Sequence, residues 1–320
     1  MTHIIEKKRI DEIIHRMNHN ELIQYMERAF TSYSSGKAVI PPVGELIFTE
    51  PKGEAHIKYG YIKGADTYCI KIASGFYDNP KIGLPSSQGM MLLFSQKTGQ
   101  PLAVLLDEGL LTDIRTAAAG ALAAKYFAPK KIKAIGIIGT GIQARLQLQY
   151  LKEITSCRKV WVWGRNQENA QRFKNDLEKE FDVHIATLTA ELASQCNLIV
   201  TTTPATKPLL KAEYILPGTH ITAMGSDTAT KQELESELLN KADILVVDSI
   251  PQSQSRGEVF RAMQDGLISP GKLAELGKVI RDPALQRKND QQISVVDLTG
   301  VAVQDIMIAN AVYNAYKASV

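Results

Sequence analysis

Five charged side chains stand where chemistry explains them better than solubility does. Lys58 and Lys71 lie inside strand-like, largely apolar runs, the second in Tyr68-Cys-Ile-Lys-Ile72. A lysine in such a setting is costly unless its ammonium reaches solvent or a partner. Arg115 lies in Asp113-Ile-Arg-Thr-Ala-Ala-Ala119. Small residues there allow close helix packing and leave the guanidinium as the main group pointing into a cavity. Lysines and an arginine converging on one pocket would hold a carboxylate, the arginine with its planar fork. Asp227 follows an apolar strand on a Gly225-Ser226 turn, with Lys231 four residues later. It could take or orient a proton on a substrate amine. Plainer roles stand beside these. The lysine stems would lie along a sheet with their heads in water, and Asp227 would cap a helix expected over 231–240.

The stretch that must position such groups is Ala134-Ile-Gly-Ile-Ile-Gly139-Thr-Gly141-Ile-Gln-Ala144. An apolar strand runs into a glycine turn, and residues 146–154 are expected to be helical. A second strand follows at Val160-Trp-Val-Trp163, which completes the dinucleotide-binding fingerprint. Gly139 permits the turn and Gly141 lets the backbone approach a pyrophosphate. Ala144 stands where a third glycine is usual and still allows close strand–helix packing. The free N–H groups and dipole at the helix start attract phosphates. In NAD-binding folds an acidic residue ~20 positions after the glycines holds the ribose 2′-hydroxyl, whereas NADP-binding forms place an arginine nearby. Here the second strand ends in Trp163-Gly-Arg-Asn166, without an acid. Gly164 removes a side chain that could clash with a phosphate, and Arg165 supplies a fixed charge with a planar donor fork. NADP(H) is therefore the expected cofactor, with NAD(H) as the alternative.

The rest of the chain sorts into two regions. Residues 8–35 read as helical. From Ala38 to Phe94, short apolar runs between Pro and Gly turns read as antiparallel strands. Pro101–Leu106 is another strand, and Thr112–Phe127 is an Ala-rich helix. Beyond Pro129, strands at 134–138, 160–163, 197–202, 219–223 and 243–247 alternate with helices at 166–181 and 231–240, the pattern of a parallel sheet covered by helices. Thr201-Thr-Thr-Pro204 ends one of these strands. Such turns line the ligand crevice, so Thr202 and Thr203 should lie near the nucleotide. Residues 301–317 read as a last helix returning to the first region. The fold class is α/β, a Rossmann-type parallel-sheet nucleotide domain plus an α+β substrate and dimerisation domain. The expected division is 1–128 with 302–320 for the substrate and dimerisation domain, and 129–301 for the NAD(P) domain.

Composition excludes other classes. The 320 residues carry a net charge of +3 from 37 basic and 34 acidic side chains. No basic stretch is interleaved with aromatics, so no nucleic-acid partner is expected. No apolar run approaches ~18 residues and the N-terminus is polar, so neither a membrane span nor a signal is expected, and a cytoplasmic location follows. Cys69, Cys157 and Cys196 share no metal-type spacing and read as reduced, buried thiols. His15 and His19, four apart, should share a helix face but lack a third ligand; no metal is expected.

Several of these segments together resemble the ornithine cyclodeaminase/mu-crystallin family, over essentially the full length. The segments are Arg115-Thr-Ala-Ala-Ala119, Gly139-Thr-Gly-Ile-Gln-Ala144, Leu298-Thr-Gly and Val303-Gln-Asp305. The resemblance implies a two-domain homodimeric enzyme with NAD(P) on the Rossmann domain. It makes Lys71 the active-site lysine and Arg115 the carboxylate-binding arginine. Gly225-Ser-Asp227 through Lys231 resembles the stretch found in ornithine cyclodeaminases, whereas Trp163-Gly-Arg165 resembles the NADPH-using reductase branch. Many members carry an arginine just after a proline near position 42; here Val43 and Gly44 stand there, and Lys58 is the substitute. The catalytic set is thus Lys71, Arg115 and Asp227, with Lys58 and Lys231 added for substrate. The cofactor set comprises Gly139, Thr140, Gly141, Ile142, Gln143 and Ala144 of the first turn and Gly164, Arg165 and Asn166 of the second. Thr202, Thr203, Met224, Gly225, Thr299 and Gly300 follow from later turns, and Ser86 and Thr112 from the first region.

The leading reaction on this reading converts ornithine to proline and ammonia by internal hydride transfer. The alternatives are an NADPH-dependent reductase of cyclic imines such as pyrroline-2-carboxylate, an amino-acid dehydrogenase, or a non-catalytic NADPH-binding protein of the crystallin kind. The cofactor assignment is directly testable by titrating both cofactors before and after Arg165→Ala. NADPH should weaken by roughly 1.5–3 kcal/mol, the worth of one charged hydrogen-bonded contact, and NADH should be nearly unchanged. Equal losses for both would remove Arg165 from the phosphate site.

Overall fold

The computed structural model describes residues 1–319, which form two compact units. The first unit comprises residues 1–116 and the chain from 301 onward. It begins with β1 (His3–Glu6), α1 (Lys7–Arg16) and α2 (His19–Ser34). The strands β2 (Ala38–Val39), β3 (Gly44–Phe48), β4 (Gly53–Ile62), β5 (Thr67–Phe76), β6 (Ser87–Ser95) and β7 (Pro101–Leu106) follow. They form one seven-stranded sheet in the order β1-β7-β6-β5-β4-β2, with β3 also on β4. All pairs are antiparallel except β1 with β7. Side chains alternate faces along a strand. His56, Lys58 and Gly60 of β4 are therefore buried together with Cys69 and Lys71 of β5, while Tyr59, Tyr61 and Ile72 face outward. The C-terminal helix Ala302–Lys317 packs on α2 and across β4 and β5.

The helix expected over 8–35 is interrupted at Met17 and Asn18. Asn18 takes extended backbone and its side chain accepts the Glu21 N–H at 2.7 Å, capping α2. A side chain that caps one helix cannot continue the previous one. His15 and His19 consequently lie on different helices rather than sharing a face.

Helix α3 (Leu110–Phe127) contains the chain boundary of the second unit, which runs from Ala117 to Gly300. Its elements are β8 (Ile135–Ile138), α4 (Ile142–Leu151), β9 (Lys159–Trp163), α5 (Gln167–Leu177), β10 (Asp182–Ile185), α6 (Thr189–Gln195), β11 (Leu198–Thr201) and β12 (Thr206–Leu210). Then come β13 (His220–Ala223), β14 (Gln232–Leu234), α7 (Ser236–Lys241), β15 (Ile244–Val247), α8 (Ile250–Ser253), α9 (Gly257–Gln264), β16 (Ala274–Glu275), α10 (Leu276–Arg281) and β17 (Ser294–Asp297). Eight strands form a parallel sheet in the order β10-β9-β8-β11-β13-β17-β15-β16. Every residue of β8, β11, β13 and β17 is buried, as strands covered on both faces require. This is the Rossmann-type α/β architecture.

The segment expected as a helix over 231–240 is instead β14 followed by the short α7. β14 pairs with β12 in a separate two-stranded sheet. The Glu233 and Leu234 N–H groups are taken by the Glu258 carboxylate at 2.7 and 3.1 Å, so tertiary partners displace the helical hydrogen bonds. Strands β1, β10, β12, β16 and β17 are also absent from the sequence reading.

Candidate active site

In the first unit, β4 and β5 set Lys58 directly opposite Lys71. Like charges opposed across strands are destabilising, and both side chains are buried. The compensating group comes from the C-terminal helix. Asp305 places Oδ1 3.2 Å from Lys71 Nζ and 3.2 Å from Arg115 Nε. Lys71 is 2% exposed and Asp305 1%, so these are interior ion pairs. They are close in distance, yet Arg115 Nε and both Asp305 oxygens lack hydrogen-bond alignment. Burial pushes the Lys71 ammonium below its usual range; Asp305 opposes this shift and Arg115 adds to it. Lys71 and Arg115 around Asp305 give this centre more positive than negative charge, which suits a bound carboxylate. Lys58 shares the buried face.

Arg115 is presented by α3. The Asp107 carboxylate caps that helix by accepting the Leu111 N–H at 2.8 Å. The turn into it holds Glu108 at φ 52°, the one non-glycine residue of the described chain in the left-handed region. Thr112 sits three residues before Arg115 on the same helix. Ser86 is exposed just before β6, where its carbonyl accepts the Phe76 N–H at 2.8 Å. His56, on the face of Lys58, is buried near Glu45 and Glu54, at 3.5 and 3.7 Å; neither it nor Asp305 figures among the residues expected from sequence.

In the second unit the expected cofactor residues follow the carboxyl ends of neighbouring parallel strands: 139–144 after β8, 164–166 after β9, 202–203 after β11, 224–225 after β13 and 299–300 after β17. Ligands of open α/β sheets bind at that edge. Gly139 has φ 121°, and a Cβ there would strike the Thr202 hydroxyl. Gly141 caps α4 without any side-chain hydrogen bond and has open space where a Cβ would stand. Thr140, Gly141, Ile142 and Gln143 are exposed or half-buried, whereas Ala144 is fully buried against the sheet. The uncapped N–H groups of this ten-residue helix and the clearance at Gly141 fit a pyrophosphate. Arg145 steadies the turn from behind, donating to the Thr140 carbonyl and pairing with Asp176 at 2.7 Å.

At the end of β9, a Cβ on Gly164 would come within 2.6 Å of Thr140 Cγ2, so this glycine lets the two turns approach. Arg165 is exposed, and Asn166 caps α5 through the Asn169 N–H at 3.1 Å. Thr202 gives its hydroxyl to the Ile138 carbonyl at 3.1 Å. Met224 sulfur receives Gln147 Nε2 at 2.9 Å. Thr299 and Gly300 donate to Asp248 at 3.0 and 2.6 Å. Asp227 pairs with Lys231 at 2.7 Å, and no helix starts beside it: α7 begins at Ser236, with Glu235 as the residue before it. Its alternative role as a helix cap is thus removed. Among the described residues no cluster of three or more His, Cys, Asp or Glu is arranged for a metal. Cys69 and Cys196 are buried, with burial raising the Cys196 thiol to about 12, while Cys157 is half-buried.

A dinucleotide-type parallel sheet and a buried cationic centre in one chain define the class: an enzyme that works with a nicotinamide cofactor. The chain matches the ornithine cyclodeaminase/mu-crystallin family model over residues 5–319 and belongs to that family. It is 40% identical over 297 residues to an uncharacterized cyclodeaminase of Sinorhizobium fredii, covering 92% of this chain and 90% of the relative. An archaeal alanine dehydrogenase dimer with bound NAD superposes with a TM-score of 0.90 at 33% identity, over 99% of this chain and 97% of that one. Thermococcus litoralis Δ1-pyrroline-2-carboxylate reductase, in complex with NADH and L-proline, gives 0.92 at 29% identity, over 99% and 98%.

The Asp305 centre makes a stability prediction. Asp305→Asn leaves Lys71 and Arg115 buried without an anion, and loss of one partner of a buried pair costs about 3–5 kcal/mol. Chemical denaturation should show a loss of that size, partly recovered when a small carboxylate is added. A variant as stable as the parent would mean that the two cations are neutralised elsewhere.

Proposed function

We propose that the protein reduces the C=N bond of a small α-imino acid, a cyclic imine such as pyrroline-2-carboxylate, with NADPH preferred. The observation that carries this reading is the buried Lys71–Asp305–Arg115 centre, whose excess of positive charge suits an α-carboxylate. When bound, the dihydronicotinamide supplies the hydride that the imine carbon accepts. Lys71 and Arg115 anchor the carboxylate, and Asp305 keeps both cations in place. Asp227, with Lys231, orients or delivers the proton that the nitrogen gains. The preference for NADPH rests on exposed Arg165 and the lack of an acid at the end of β9.

The second reading is ornithine cyclodeamination, favoured by the Asp227 carboxylate. That reaction must also hold and deprotonate a δ-ammonium, whose pKa is near ~10 if it resembles lysine. Asp227 already has Lys231 Nζ at 2.7 Å on Oδ1, so an ornithine amine would have to share the carboxylate with a protein cation. This favours a substrate with a single nitrogen, which includes the simple amino acids of a dehydrogenase.

Two assays decide between the readings: NAD(P)H oxidation with pyrroline-2-carboxylate, and ammonia release from ornithine. Imine reduction without ammonia is expected. Arg115→Lys should lower kcat/KM about 10–100-fold by losing the planar fork, and Asp227→Asn should lower kcat by roughly 10² while cofactor binding survives. Ammonia from ornithine without imine reduction would move the enzyme to the second reading.

We also propose a homodimer through the outer face of the first unit's sheet. Tyr59, Tyr61 and Ile72 there are 37–39% exposed, and Leu46 on β3, opposite Ala55 on the same face, is 55% exposed. An apolar patch of this kind marks an association surface. Light scattering should give twice the chain mass, and Tyr59→Glu with Ile72→Glu should halve it; a monomeric parent would end the proposal.

A further inference from the structure

The residue of the second unit that the proposed chemistry does not use is Glu233, on β14. It is completely buried, and its carboxylate accepts four hydrogen bonds from two separate turns. Oε1 takes the Thr203 N–H at 2.6 Å and the Thr203 hydroxyl at 2.7 Å. Oε2 takes the Thr201 hydroxyl at 2.7 Å and the Gly225 N–H at 2.9 Å. One carboxylate therefore ties the turn after β11 to the turn after β13. The second turn is closed further along by the Ser226 hydroxyl on the Lys231 carbonyl at 2.8 Å, and it carries Asp227. There is no room for slack: a Cβ on Gly225 would strike the Thr203 carbonyl and Glu233 itself.

Each carboxylate oxygen faces one backbone N–H. A hydroxyl donor can rotate away, whereas a backbone N–H cannot. Only an acceptor at both oxygens satisfies both turns, so an amide or a protonated carboxyl must turn a hydrogen toward Thr203 N or Gly225 N. We propose that Glu233 is a positioning residue that locks the Thr201–Thr203 and Gly225–Asp227 turns in one arrangement, the one that binds the nicotinamide cofactor and aims Asp227. This inference rests on the cofactor reading above and not on the choice of substrate.

The same geometry makes the lock sensitive to pH. Burial raises the Glu233 carboxyl to about 7, with the four donors opposing that shift. The charged groups that act on it are the Glu258 carboxyl of α9, which accepts the Glu233 N–H, and Asp297 of β17. The two hydroxyls of the β11 turn are neutral. As pH falls through about 7, Glu233 gains a proton and one of its two backbone anchors is lost. Because the folded carboxyl sits above its ordinary value of 4.5, its ionisation weakens folding as pH rises through that range. A neutral isostere therefore need not destabilise the fold.

The test is NADH affinity, read by fluorescence titration without substrate between pH 5.5 and 8.5. NADH lacks the 2′-phosphate, so the probe itself does not titrate there. The parent should bind about tenfold more weakly at the acid end, with a midpoint near 7. Glu233→Gln should bind weakly and evenly across the range, with thermal stability at pH 8 retained. Thr201→Val keeps the side-chain volume but removes a donor to the charged form, so it should move the midpoint upward; it also serves if Glu233→Gln does not fold. Parent-like affinity in Glu233→Gln, an acid limb that persists in it and so belongs to Glu258 or Asp297, or an unmoved midpoint in Thr201→Val would each overturn the proposal. A parent that binds no nicotinamide cofactor would instead overturn the cofactor reading beneath it.

Discussion

A buried carboxylate is tolerated only where donors or cations meet it, and both units of this enzyme are organised by that constraint. In the first, Asp305 draws together a strand lysine and a helix arginine that would otherwise repel. In the second, Glu233, Glu258, Asp248 and Asp297 sit near the carboxyl edge of the parallel sheet. There they accept backbone N–H groups from two turns, from β14 and from the first turn of α9. The two arrangements have opposite uses. Asp305 leaves an excess of positive charge for a ligand, whereas the carboxylates of the second unit spend their acceptors on the protein and leave the glycine turn open.

This division explains how a general fold acquires a particular chemistry. The parallel sheet supplies an edge at which five turns arrive side by side, and the uncapped start of α4 offers N–H groups to phosphate. Neither feature selects a reaction. On the proposed function, selection would lie with Lys71 within β5, Arg115 on α3, and Asp227 on a turn anchored at its root by Gly225. The family likewise contains reductases, dehydrogenases and cyclodeaminases on one frame. In this chain the pairing of Asp227 with Lys231 bears most directly on which of them it is.

Much of this was legible from local pattern. Apolar runs of strand length, glycines at fixed offsets and an Ala-rich helix depend only on near neighbours, so the Rossmann-type fold and the position of the glycine turn follow from residue order. Lys71 and Arg115 are visible in the same way, as charges in apolar or small-residue surroundings. The role of Asp305 is not: Val303-Gln-Asp305 stands out only as a family-like segment, since an acid is favourable in the first turn of any helix. Gly164 was legible as a residue that needed to be small, but Thr140, the neighbour the structure sets against it, was not.

The sequence by itself determined the class of fold, the dinucleotide turn and the cations that call for an anion, since each is written in spacing over a few residues. Tertiary structure decided which carboxylate answers those cations, whether 231–240 is helix or strand, and what Asp227 and Glu233 hold. Apart from Lys231, four residues from Asp227, and Gly225, eight from Glu233, those outcomes depend on partners dozens to hundreds of residues away. Lys71 meets Asp305 only once the last helix packs on β4 and β5, and β14 exists because β12 and Glu258 take the backbone groups that a helix would have used.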